Sequence, residues 1–142
     1  MLSVSTSWMT EQDQEPAAWV KKIKAMGFHA VELSYKVTRE QLMKLEPLLE
    51  KEGLFVSSIH NFCPMPDDEP TKRHPSNYYR LSSMDEHERL QAVHWTKIAV
   101  DTAKRVGAKV VVIHAGTLDH EDERSPKLFQ LYVDGKKGTD EF

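Results

Sequence analysis

Residues 107–116, GAKVVVIHAG, carry the pattern of a helix end followed by a buried parallel strand. The run Val110–Ile113 is uninterrupted and β-branched, the pattern of a strand buried on both faces of a parallel sheet. Gly107 stands where a helix would end, because the left-handed residue just past a helix favours glycine. His114 closes the run. Working outward, the same grammar repeats. Gly27 precedes Ala30–Ser34 (AVELS), and Gly53 precedes Leu54–His60 (LFVSSIH). A fourth apolar segment, Leu2–Ser7, opens the chain.

The stretches between these segments carry helical periodicity. The first helix is expected over Pro16–Met26, with proline in its first turn and Trp19, Ile23 and Met26 on one face. The second starts at Thr38, where Thr38 and Gln41 fit a capping box, and its apolar face is Leu42, Leu45 and Leu49. Pro47 lies inside that pattern and is expected to kink or split it. The third runs from about Asp85 to Val106, with the stripe Ala92, Trp95, Ala99, Ala103 and Val106. Strands alternating with helices imply right-handed crossovers and a parallel sheet covered by helices.

Asn61–Ser83 interrupts the rhythm with Pro64, Pro66, Pro70, Pro75 and many charges. Loops this long are functional or disordered, and a lid over a site is one reading, a mobile insertion the other. After the fourth strand, SPKLFQLYVDGKKGTDEF begins a helical region with no strand behind it. Four strands do not close a barrel, and open edges invite pairing. The expectation is a fragment, a shortened gene product, or a half-barrel that forms a homo-oligomer through its open sheet edges.

The chain has 142 residues, 39% hydrophobic and 29% charged, with a formal net charge of −3. That is ordinary for a soluble globular domain and gives no general attraction to nucleic acid. No run approaches the ~20 apolar residues of a membrane span. The opening MLSVSTSWMTEQDQEP lacks the basic and apolar regions of a signal peptide. The single cysteine, Cys63, has no internal disulfide partner and is read as an inert thiol. A cytoplasmic location is the default expectation.

In parallel α/β folds the working site lies at the C-terminal strand ends. The residues there are Ser7 and Trp8, Glu32 to Tyr35, His60 to Phe62, and His114 to Gly116. His60 and His114 end successive strands, which lie ~4.8 Å apart, so their imidazoles can converge on a metal or a substrate. One such histidine alone would more often be structural, but two at equivalent positions of neighbouring strands favour a metal or substrate site. Glu32 is the local candidate for acid–base catalysis, against a reading as a buried, paired acid. Trp8, Asn61 and Phe62 are candidate substrate contacts, with packing equally open to each. His29, His74, His87, His94 and His120 read as solvated or packed, with His120 and Glu121 the least improbable exceptions. The run Asp119–Arg124 reads as solvated charge. There is no glycine-rich phosphate loop, GxSxG elbow or zinc-finger spacing.

Three motifs follow one another in a familiar order: Gly27-Phe28-x-x-Val31-Glu32-Leu33, then Gly53-Leu54 leading to Ser58-Ile59-His60, then Arg89-x-x-Ala92-Val93 leading to Ala103-x-x-x-Gly107-Ala108 and Val110–Gly116. With them the chain resembles the xylose isomerase-like TIM-barrel superfamily, which includes sugar phosphate isomerases and epimerases and the endonuclease IV type of apurinic endonuclease. The resemblance implies a (β/α)₈ barrel, here present as about four βα units. It also implies a divalent metal (Zn, Mn, Mg or Co) at the C-terminal mouth, with His60 and His114 on the metal or substrate side. In the endonuclease branch histidines at these two strand ends bind zinc; in the sugar branch such positions contact substrate. The acid that follows the fifth strand, and ligands from later strands, have no counterpart, so this chain alone falls short of a complete site. The expected activity of the parent enzyme is metal-dependent isomerisation or epimerisation of a small carbohydrate. Abasic-site cleavage is the alternative, disfavoured by the acidic balance, and an inactive half-barrel is the third reading.

Overall fold

The computed structural model describes residues 2–10, 15–67, 74–116 and 124–141. Its order is β1 (Val4–Ser5), α1 (Ser7–Thr10), α2 (Pro16–Ala25), β2 (Ala30–Leu33), α3 (Arg39–Lys51), β3 (Phe55–His60), a 3₁₀ turn at Pro75–Asn77, α4 (Glu86–Val106), β4 (Val110–Val112) and α5 (Arg124–Val133). The strands form one parallel sheet in the order β1-β2-β3-β4. This is the arrangement of consecutive units in a barrel wall, opened flat at β1 and β4.

Each unit is built the same way. At the end of α4, Gly107 takes φ 75° and lets the Ala108 N–H reach back to the Ala103 carbonyl at 2.9 Å. The same backward bond joins Phe28 to Ile23 and Leu54 to Leu49. It satisfies a carbonyl the helix end leaves over and turns the chain directly into the next strand. Helix α3 starts on the expected capping box: Thr38 Oγ1 accepts from the Gln41 N–H and Gln41 Oε1 accepts from the Thr38 N–H.

Pro47 does not split α3, which runs unbroken over Arg39–Lys51. Proline removes one helical donor, and here it stands on the exposed face with Met43, where water can serve the released carbonyl. The first strand is shorter than expected, because Ser7 already begins the one-turn helix α1. Met26 is not on the buried face of α2; it follows the last turn and is half exposed.

The core lies between the sheet and its helices. Val31 and Leu33 of β2, Val56 and Ile59 of β3 and Val111 of β4 meet Trp19, Val20 and Ile23 of α2, Leu42, Leu45 and Leu49 of α3, and Ala99 and Ala103 of α4. A second cluster sits beside it, where Phe62, Tyr78 and Tyr79 pack on Ala92 and Trp95 of α4. The segment Asn61–Ser83 is therefore tied down at both ends: Asn61, Phe62 and Cys63 are buried at one, Tyr78 and Tyr79 at the other. The expected lid would be its middle, and 68–73 lie outside the described residues.

The expectation that β4 is buried on both faces is corrected. Val111 faces the helices, whereas Val110 is 53% exposed. In an open four-stranded sheet the face turned from the helices has no strands opposite to fill it, unlike the packed interior of a closed barrel.

Candidate functional site

The uncovered face of the sheet is where the polar strand residues gather. Val31 and Leu33 point to the helices, so alternation turns Glu32 the other way. On β3 the partners of Val31 and Glu32 are Val56 and Ser58, so Ser57 is an extra residue, a β-bulge. Val56 and Ile59 consequently both face the core, Ser57 and Ser58 lie between them, and His60 comes up on the uncovered face. Ser58 Oγ donates to Glu32 Oε2 at 2.9 Å, which holds that carboxylate across the β2–β3 pair.

At the C-terminal rim the rings form a row. The His60 and His114 centroids are 4.7 Å apart, with their planes at 57°. Tyr35 packs on the other side of His60 at 4.9 Å, edge to face, and His74 follows at 5.1 Å from Tyr35. His74 Nδ1 is 2.9 Å from Ser76 Oγ, and its Nε2 is 3.4 Å from the Tyr35 hydroxyl. The strand ends thus bring together Glu32, His60 and His114, as the sequence pattern predicted. Tyr35 was noted only as a rim position, and His74, read as solvated or packed, is packed, against the Tyr35 ring. A histidine whose place depends on the path of a long loop carries no periodic signal.

His60 Nδ1 lies 3.2 Å from the Asn61 carbonyl. A carbonyl only accepts, so this bond places the proton on Nδ1 and leaves the Nε2 lone pair available. Burial, followed by the neighbouring His114 and His74, pushes the His60 pKa down; the Asn61 carbonyl and Glu32 work in the other direction. Neutral imidazole is the form that ligates a metal. The fit to a divalent ion is partial: His60 and His114 offer two adjacent imidazole donors. Among the described residues no group of three or more His, Cys, Asp or Glu is placed to hold a metal ion. His120 and Glu121 lie outside the described residues.

Of the two readings open for Asn61 and Phe62, substrate contact or packing, the structure shows packing. Asn61 and Phe62 are 2% and 1% exposed. The Asn61 side chain donates to Thr96 Oγ1 of α4 at 3.0 Å, and the Phe62 ring packs edge-on to Tyr79. Following His60 directly in sequence, they turn towards the helix layer instead of the rim. Trp8 is partly exposed, with the Lys22 ammonium of α2 5.8 Å from its ring centroid. Cys63 is fully buried and its thiol is pushed up to about 12 by burial, in keeping with an inert role.

The mouth is buttressed by a polar network on the α4 side. Arg80 donates from Nε and Nη2 to the two carboxylate oxygens of Glu88, at 2.9 and 3.1 Å, and Ser83 Oγ donates to the same carboxylate. Ser82 N–H reaches the Ala115 carbonyl at 2.9 Å, one residue beyond His114. The loop before α4 is thereby fastened to the end of β4.

A family model described as xylose isomerase-like TIM barrel matches residues 20–135. Among curated proteins, none matches the chain. No described helix is long and apolar enough to cross a membrane.

Proposed function

The chain belongs to the xylose isomerase-like TIM-barrel family, and from that premise we propose that it carries part of the site of a divalent-metal-dependent sugar or sugar-phosphate isomerase or epimerase. The observation that carries the reading is the His60–His114 pair on the uncovered rim, with Glu32 held by Ser58 on the same face of the sheet. His60 and His114 are the residues of this chain that would hold the ion, together with donors from outside the described residues. When bound, a divalent ion polarises a carbonyl or hydroxyl oxygen of the substrate.

Glu32 acts as the base. It takes the proton from the carbon next to the carbonyl and, for isomerisation, returns it on the same face to the neighbouring carbon. For epimerisation a second acid, from outside the described residues, protonates the opposite face of the same carbon while Glu32 keeps the proton it took. Ser58 fixes the carboxylate so that the protonated form is delivered in one orientation. Tyr35 and His74 wall the approach on the β2 side. The substrate is a small carbohydrate, recognised through its hydroxyls by these polar groups.

The test is solvent exchange. A full-length version of the protein is incubated in D₂O with Mn²⁺, Mg²⁺, Co²⁺ or Zn²⁺ and a panel of ketoses and their phosphates, and deuterium next to the carbonyl is read by NMR. Exchange should appear, vanish with a chelator, and fall by roughly 100-fold or more in Glu32→Gln, the size typical of losing a general base. Exchange indifferent to chelation, or cleavage of an abasic-site duplex in place of exchange, overturns the reading.

A further inference from the structure

The direction of His60 is not a consequence of its strand alone. Strand side chains alternate, so from Val56, which faces the helix layer, an unbroken strand would send Ser57 to the open face, Ser58 to the helices, Ile59 to the open face and His60 to the helices. The structure does otherwise: Ile59 is completely buried in the core with Val56, and His60 stands on the rim against His114. The phase changes where β2 and β3 lose register, between Val31/Val56 and Glu32/Ser58. One extra residue, Ser57, makes the difference.

That residue is fastened on two sides. Ser57 Oγ donates to the Val31 carbonyl of β2 at 3.0 Å, and Ser3 Oγ lies 2.7 Å from it. A bulge disrupts the backbone ladder locally. The hydroxyl of the bulged residue supplies a bond to the neighbouring strand at the place where the ladder is disturbed. It therefore holds the extra residue in the strand.

We propose that Ser57 is a positioning residue: as the bulged residue of β3, stapled to β2 by its hydroxyl, it turns His60 from the helix layer to the rim and pairs it with His114. Its functional meaning rests on the reading of these histidines as paired donors. Its geometry does not. Ser57 touches neither ring and acts only through the phase of the strand.

The test reads the rings themselves in the full chain. Centroids 4.7 Å apart place ring protons of His60 and His114 within range of a proton–proton NOE cross-peak, assigned by single substitution of each histidine. Deletion of Ser57 removes the extra residue and leaves Val56, Ser58, Ile59 and His60 in strict alternation, with His60 still on the open face. The expected result is a folded chain, by far-UV circular dichroism and a cooperative melt, that keeps the His60–His114 cross-peak; a folded deletion that loses it overturns the proposal. Ser57→Val and Ser57→Thr test the hydroxyl, and decide alone should the deletion not fold. Threonine keeps the hydroxyl and should retain the cross-peak, while valine should lose it. A folded Ser57→Val with the cross-peak at full intensity overturns the proposal. A Zn²⁺ titration of the unsubstituted protein separates the two readings. Failure of both rings to respond defeats the metal reading, and the cross-peak still reports on Ser57.

Discussion

At the scale of single residues, position on the strand matters more than position in the sequence. His60 and His114 were legible because each closes an apolar run at a fixed remove from a helix-ending glycine, and such runs end at the rim. Asn61 and Phe62, one and two residues further on, were left open between substrate contact and packing, because adjacency in sequence says nothing about which layer a side chain enters once the strand has ended. Their burial against α4 follows from the chain turning outward to build the second cluster. Gly116 offers a test at this scale. It sits at φ 109°, and an added Cβ would lie 2.5 Å from Ser82 Oγ and 2.8 Å from Arg80 Cβ. Gly116→Ala should therefore destabilise the chain by about 1–3 kcal/mol, through both the backbone conformation and the clash. A thermal melt would read this as a fall of roughly 4 °C per kcal/mol. An unchanged melting temperature would mean that the loop before α4 is not fastened to the end of β4.

At the scale of elements, the repeating unit was the most legible part of the protein. The glycine stops, the capping box at Thr38 and the stripe on α4 are local signals, and the structure contains each of them. The bulge and Pro47 were not legible in the same way. Both are places where a local rule is broken and the neighbours absorb the break, a hydroxyl in one case and solvent in the other. The capping box gives a quantitative expectation. Thr38→Ala removes the acceptor for the Gln41 N–H and should cost about 1 kcal/mol, whereas Thr38→Ser, which keeps the oxygen, should cost only a fraction of that. Urea unfolding of the two variants side by side checks it, and equal losses would show that the cap contributes through its methyl packing instead.

For the whole molecule, the division of labour follows the two faces of the sheet. One face is filled by helices and holds the fold together; the other carries the polar strand residues and the candidate chemistry beside exposed Val110. Helix α4 ties the halves of the interior to each other, since Ala99 and Ala103 belong to the main core and Ala92 and Trp95 to the cluster at the rim. The two clusters should therefore melt as one. Trp95→Ala is expected to cost about 3 kcal/mol, as for other large-to-small changes at buried aromatics. It should lower circular dichroism and near-ultraviolet transitions together. Two separated transitions in the variant would show that the rim cluster is an independent unit.

The length of α4 also shapes the way in. Its 21 residues span about 31 Å, whereas the six residues of β3 span about 20 Å. The helix outreaches the strand beside it, and its early turns carry the aromatic cluster and the Arg80–Glu88 network as a parapet on one flank of the imidazole pair. With Tyr35 and His74 standing on the β2 side, the imidazole pair lies in a trough between two aromatic banks, and the orientation of an incoming molecule would matter more than its bulk.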